Sequence, residues 1–172
     1  PANGARPSES GLKPTLQIRP DDRIALVGAN GLGKSTLLRH LLPQALVPEE
    51  RLLNIPQEIS ENESRRIHEE LKRLDDVPLG RVMTLVSRLG SRPARLLAST
   101  TPSPGEIRKI LLARGVARGP HLIVMDEPTN HLDLPSIECL EAALAEAPCA
   151  LLLVSHDARF LSKLTRTRWE LT

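Results

Sequence analysis

The residues best suited to chemistry begin with Gly28-Ala29-Asn30-Gly31-Leu32-Gly33-Lys34-Ser35-Thr36, which fits the pattern G-x-x-x-x-G-K-[ST]. Glycines let a backbone wrap closely around phosphate groups with its N–H bonds pointing inward. A lysine at the end of such a loop reaches the outer phosphates, and the hydroxyl after it ligates magnesium. The apolar run Ile24 to Val27 before the loop and Leu37 to Leu42 after it read as strand and helix, so the loop would present a helix N-terminus to the anion. Gly28, Asn30, Gly31, Gly33, Lys34, Ser35 and Thr36 are therefore the candidate nucleotide contacts, with Ser35 also a metal ligand.

Three further groups share one feature: each follows an apolar run that reads as a buried strand. Asp126 and Glu127 close the run Leu122-Ile123-Val124-Met125. Asp126 is placed to hold hydrated magnesium, and Glu127 to polarise an attacking water or accept its proton. Ser155-His156-Asp157 closes Cys149 to Val154, which puts the His156 imidazole at the same sheet edge, in position to contact a γ-phosphate and orient the water. Gln57 follows Leu52-Leu53-Asn54-Ile55-Pro56, and its neutral amide suits a bridge between metal and water. Glu127, His156 and Gln57 are the catalytic candidates; Ser35, Gln57 and Asp126 are the metal candidates. His40, His68 and His121 read as structural or exposed.

Positioning these groups requires alternating strands and helices. Apolar strands of four or five residues separated by helical stretches imply a mainly parallel α/β sheet, and in such sheets ligands bind at the carboxyl ends of strands. Thr15 to Ile18 reads as an edge strand, Arg23 to Val27 as the strand before the loop, and Arg168 to Leu171 as a last short strand. Helical periodicity is expected around Ile67 to Leu74, Leu79 to Leu89, Ile107 to Val116, Pro135 to Ala147 and Phe160 to Leu164. Ser91 to Pro104 reads as loop. Residues 1–14, rich in proline, glycine and small polar residues, read as a flexible tail or linker.

Composition bounds the rest. The chain has 172 residues, 40% hydrophobic and 26% charged, as expected of one soluble domain. It holds one Trp, one Phe and no Tyr, so its core must be aliphatic. No apolar run reaches the ~18 residues needed to span a bilayer, which argues against membrane insertion. Cys139 and Cys149 fit no ligand spacing and read as reduced thiols of a cytoplasmic protein. Net charge is only +2, but Arg81 to Arg118 carries eight basic residues against one acid. That segment is either a local field for RNA or another phosphate-rich partner, or a solvated helix face.

Taken together, Gly28–Thr36, Gln57, Asp126-Glu127-Pro128-Thr129-Asn130-His131-Leu132-Asp133 and Ser155-His156-Asp157 resemble the nucleotide-binding domain of ABC ATPases, in that family's order and across nearly all of the folded chain. Asn130-His131-Leu132-Asp133 and Ser155-His156-Asp157-Ala158-Arg159-Phe160-Leu161 resemble the ABC-F branch in particular. The resemblance implies a P-loop NTPase fold: a mainly parallel sheet flanked by helices, with an edge antiparallel strand portion and a small helical subdomain at about 62–104. Residues 15–172 would form a single nucleotide-binding domain.

It also implies ATP and Mg2+ as ligands, hydrolysis that is weak in an isolated domain, and a second ABC domain as partner, in the same longer chain or as a homodimer. ABC-F proteins commonly act on the ribosome, as translation factors or in antibiotic resistance. A transporter ATPase subunit and a nucleotide-gated interaction module with little hydrolysis are the alternatives.

In this family each site pairs one domain's phosphate loop with the other domain's signature, usually Leu-Ser-Gly-Gly followed by Gln or Glu. The corresponding residues here are Pro102-Ser103-Pro104-Gly105-Glu106, so Ser103 and Gly105 become nucleotide candidates for the partner's site. Pro104 is a departure: it offers no N–H to a phosphate, although Ser103, Pro104 and Glu106 make a sound helix start. Asp133 has two readings, as a helix N-cap or as part of the dimer interface. Nothing aromatic precedes Gly28 to stack on adenine; Phe160 and Trp169 are the only rings.

Overall fold

A computed structural model describes residues 16–130 and 132–172. The tail expected at 1–14, together with Thr15 and His131, lies outside the described residues. Five strands, β1 (Arg23–Val27), β2 (Leu52–Ile55), β3 (Leu122–Asp126), β4 (Ala150–Val154) and β5 (Thr167–Glu170), form one sheet in the order β2-β3-β4-β1-β5. Every pairing is parallel. Their carboxyl ends therefore share one edge, and the loops after β1, β2, β3 and β4 carry the candidate residues there.

Residue type explains the layering. The central strands β3 and β4 are buried along their whole length, as their continuous apolar runs require. Alternate residues feed opposite faces. Ala25, Leu53, Ile55, Ile123, Met125, Leu151 and Leu153 pack with Leu140, Leu144, Phe160 and Leu161 on one side. Ile24, Leu26, Leu122, Val124, Leu152 and Val154 pack with Leu38 on the other. The helices supplying these partners are α1 (Lys34–Leu41), α6 (Leu134–Glu146) and α7 (Ala158–Leu164).

Between β2 and β3 the chain is helical: α2 (Glu61–Lys72), α3 (Asp76–Arg88), α4 (Pro93–Ala98) and α5 (Pro104–Ala117). These helices share a core of their own, built from Ile67, Leu71, Val82, Met83, Val86, Leu96, Ile107, Ile110 and Ala113. Helix α5 also packs on the sheet through Leu112, so it is the element that ties the helical region to the strands.

Two expectations need correction. Among the described residues there is no antiparallel edge: Leu16 to Ile18 is not a strand. Its backbone is diverted into the turn at Pro20-Asp21, where the Arg19 N–H donates to Asp22 Oδ2 at 2.7 Å, and Leu16 is exposed. The stretch 91–104 is not all loop either. Pro93 opens α4 at its first turn, a position where its missing N–H costs nothing, and Leu96 is fully buried in the helical core.

Candidate functional site

The phosphate loop leaves β1 at its carboxyl end. Gly31 and Gly33 adopt φ of 82° and 85°, the left-handed region that side chains other than glycine seldom occupy. Gly28 is required for space: a Cβ there would lie 2.7 Å from the Leu171 carbonyl oxygen. Helix α1 begins directly after Gly33, which has no side chain to cap the first amides. Those donors are left for an anion. Lys34 is buried, and its Nζ donates to the carbonyls of Gly28 at 2.8 Å and Ala29 at 3.0 Å.

Facing the loop is a cavity of about 550 Å³ lined by Asn30, Gly31, Gly33, Lys34, Ser35, Thr36, Gln57, Asp126, Glu127, Asn130, Val154 and His156. Residues from the loops after β1, β2, β3 and β4 thus meet in one place, as the parallel sheet predicts. A second recess of about 440 Å³ adjoins it and shares Ser35, Gln57 and Asp126. These three bring a hydroxyl, an amide and a carboxylate, all hard oxygen donors. Among the described residues no group of three or more His, Cys, Asp or Glu could hold a metal. A few oxygen ligands supplemented by phosphate and water suit magnesium rather than a cation held in an all-protein cage.

Glu127 is the most constrained residue at this edge. It is 7% exposed and, though not glycine, has φ 49°, a conformation costing on the order of 1–2 kcal/mol. Backbone bonds hold it there: its N–H donates to Val154 O at 2.8 Å, and its carbonyl accepts from the Asn130 N–H at 3.2 Å. Its Oε2 accepts from the His156 N–H at 3.3 Å and the Ser155 hydroxyl at 3.5 Å. Oε1 is buried without a hydrogen-bond donor; His156 Nε2 lies 3.3 Å away but outside hydrogen-bonding geometry. A carboxylate held by the backbone at the cavity wall, with an imidazole beside it, is suited to act as a general base for water. The His156 side chain is itself 57% exposed.

The structure therefore brings together Gln57, Asp126, Glu127, His156 and the loop residues Asn30, Gly31, Gly33, Lys34, Ser35 and Thr36. Gly28 backs the loop rather than lining the cavity. Ser103 and Gly105 are elsewhere, at the start of α5. There the capping box is complete: Ser103 Oγ accepts from the Glu106 N–H at 3.3 Å, and Glu106 Oε2 accepts from the Ser103 N–H at 2.8 Å. The Ser103 hydroxyl also donates to Glu106 Oε2 at 3.0 Å. Asp133 caps α6, accepting from the Ser136 N–H at 3.1 Å. Phe160 is fully buried and offers no face to a base.

Sequence reasoning missed Arg108. It was grouped with the basic segment, yet it is 5% exposed. Its Nη1 donates to the Glu127 carbonyl at 2.9 Å and its Nη2 to the Gln57 carbonyl. Burial pushes its pKa down, opposed by the nearby carboxylates of Asp126 and Glu127. The signal was present: α5 carries Ile107, Ile110, Leu111 and Leu112 around nearly its whole girth, so a basic residue among them cannot face water. The rest of the basic segment divides. Arg114 pairs with Glu70 at 3.0 Å and Lys109 donates to Ser136 at 2.7 Å, whereas Arg81, Arg88, Arg92, Arg95 and Arg118 are exposed.

Comparison with known proteins completes the description. The sequence profile of the family described as ABC transporter matches residues 13–78. The ATP-binding protein Uup of Caulobacter vibrioides is 36% identical over 178 residues, covering 95% of this chain and 28% of that protein. The ribosome protection protein VmlR of Bacillus subtilis is 35% identical over 163 residues, covering 88% of this chain and 29% of that protein. The chain thus spans under a third of the length of these two relatives. Among solved structures, one titled as the ATP binding subunit of an ABC transporter superposes with a TM-score of 0.68 at 21% identity, over 91% of this chain and 77% of that one. At that identity the likeness shows the fold.

Proposed function

The chain belongs to the ABC ATPase superfamily, and on that premise we propose that it is an ABC-F type domain that binds ATP with magnesium and hydrolyses it when paired with a second such domain. The observation that carries the catalytic reading is Glu127: a buried carboxylate with one acceptor site unfilled, 3.3 Å from His156 Nε2, in the cavity that the phosphate loop faces.

The residues divide the work by chemistry. The amides at the start of α1 and the Lys34 ammonium bind and orient the phosphates. Ser35, Asp126 and Gln57 would hold magnesium, which supplies charge stabilisation for the transferring phosphoryl group. The Glu127 carboxylate accepts the proton of the attacking water, and His156, exposed toward the cavity, aligns that water against the γ-phosphate. Ser103 and Gly105, which do not line this chain's own cavity, take the role the family signature has and serve the partner domain's nucleotide. The small share of Uup and VmlR that this chain covers supports a longer protein, in which we place a second ABC domain. The name of VmlR, a ribosome protection protein, supports the ribosome as partner in the cytoplasm. No helix among the described residues is long and apolar enough to cross a membrane.

The test is Glu127→Gln. ATP affinity, read by a fluorescent analogue, should change less than about threefold, while turnover should fall by about 10²- to 10⁴-fold, the range for loss of a general base. Wild-type turnover per domain should rise with protein concentration, because a paired site forms by mass action. Turnover retained within about threefold in Glu127→Gln rules out the assigned base.

A further inference from the structure

We propose that Arg108 is a positioning residue that fastens the start of helix α5, which carries Ser103 and Gly105, to the backbone of both Gln57 and Glu127. The proposal rests on the ATPase reading above for its consequence in turnover. Its geometry is independent of that reading.

Consider what the guanidinium touches. Both of its hydrogen bonds run to backbone carbonyls, of Gln57 and of Glu127, although the carboxylates of Asp126 and Glu127 lie close enough to influence its charge. Arg108 therefore fixes main chain and leaves the Glu127 carboxylate free to accept from the Ser155 and His156 side of the site. The two Nη groups of a planar guanidinium diverge, so one side chain can hold carbonyls on two separate segments, whereas the ammonium of a lysine donates from one nitrogen. Of all segments to hold this way, the Glu127 backbone has most need of it, since its left-handed φ persists only where the surroundings enforce it. The Glu127 carbonyl receives two donors, Arg108 Nη1 and the Asn130 N–H.

The remaining argument is mechanical. Arg108 lies in the second turn of α5, whose capped N-terminus is built from Ser103 and Glu106. It is buried and flanked by Ile107 and Ile110, which are fixed in the helical core, so it has little freedom to move independently of the helix. A shift of the α5 start therefore reaches the Gln57 and Glu127 carbonyls through one side chain. Contact with a second domain at Ser103 and Gly105 is in this way linked to the placement of the groups that hold metal and water in this chain's own cavity.

The experiment compares wild type, Arg108→Met and Arg108→Lys as full chains. The readouts are affinity for a fluorescent ATP analogue, kcat and KM for ATP, melting temperature and, without nucleotide, amide exchange at Asn130 and Glu127, whose N–H groups bond the Glu127 and Val154 carbonyls. In Arg108→Met, affinity and KM should stay within about threefold, while kcat falls about 10- to 100-fold, as misplacement of a reacting group produces. Exchange at Asn130 and Glu127 should quicken about tenfold or more as their segment loosens. Arg108→Lys should recover part of both effects, because it can still reach one carbonyl.

The proposal is overturned if Arg108→Met keeps kcat within twofold. It is also overturned if affinity, kcat and melting temperature fall together with no recovery in Arg108→Lys. If Arg108→Met does not yield folded protein, Arg108→Lys is judged by the same measures, and wild-type values throughout reject the proposal. A wild type with no turnover dependent on Glu127 defeats the ATPase reading instead. Exchange at Asn130 and Glu127 then decides the positioning role, and unchanged rates reject it.

Discussion

Replacing Lys34 by methionine keeps the length of the side chain and removes its charge, and the structure sets what should follow. Without nucleotide, Nζ bonds the Gly28 and Ala29 carbonyls, so binding exchanges those contacts for phosphate oxygens. The exchange is favourable because the acceptor becomes anionic. Two opposite charges about 3 Å apart at an effective dielectric constant of about 20 attract by about 5 kcal/mol. Surrendering the two carbonyl bonds takes back about 1–2 kcal/mol, since Ala29 is exposed and water can replace the lysine there. The net, about 3–4 kcal/mol, corresponds to about a 150- to 900-fold loss of affinity in Lys34→Met.

Stability should barely move, by the same reasoning. Lys34 is buried, but its loss strands two loop carbonyls that solvent can reach, not a buried charge. A cost below about 1 kcal/mol shifts the melting temperature of a chain this size by under about 4 °C. Fluorescence titration with an ATP analogue and a thermal melt on the same sample read both quantities. Affinity within threefold of wild type would refute the assignment of Lys34 to the phosphates. A melting temperature lowered by more than 10 °C would show instead that the lysine holds the loop together.

The two helix starts yield the remaining predictions. Pro104→Gly restores an N–H at the first turn of α5, where a bond to a charged group is worth roughly 1.5–3 kcal/mol. ATP-dependent pairing, measured by light scattering, should then need about tenfold less nucleotide, and an unchanged requirement would exclude contact between this helix start and a phosphate. At α6, Asp133→Ala removes the N-cap bond to Ser136 and should lower stability, read as a lower midpoint in urea denaturation. Hydrogen bonds from Ser136, assisted by Lys109, hold the Asp133 carboxylate below its ordinary range. Its folded pKa is thus lower than its unfolded one, so its contribution is complete above the unfolded value and fades as pH falls through the folded one. Wild type and Asp133→Ala should accordingly converge in stability at low pH. A gap that stays constant down to acid pH would contradict the capping role.

How much of this was legible beforehand depended on whether a residue's constraint was local. Gly31, Gly33 and the capping box of α5 are dictated by neighbours within four residues, and the sequence pattern reads them directly; Asp133 carries two readings in the sequence, and the structure shows its cap of α6. The meeting of Gln57, Asp126, Glu127 and His156 was legible for a different reason: a parallel sheet places every strand's carboxyl end at one edge, so ending an apolar run is enough to locate a residue. The expected edge strand is not seen at Leu16 to Ile18, because the chain turns directly after it at Pro20-Asp21, where the Asp22 carboxylate accepts from the Arg19 N–H, a contact outside the strand pattern.

Helix α5 shows the limit most clearly. Gly115 lies in its interior, where glycine costs about 1 kcal/mol relative to alanine. In the fold a Cβ at that position would come within 2.4–2.8 Å of the Leu53 side chain, so the glycine is what lets α5 lie against β2. That close approach is long-range, 62 residues apart in the chain, and it brings Arg108 within reach of the Gln57 backbone just beyond the same strand. A glycine and an arginine that each look out of place in an apolar helix are thus explained by one contact surface. Neither can be interpreted until the strand it faces is known.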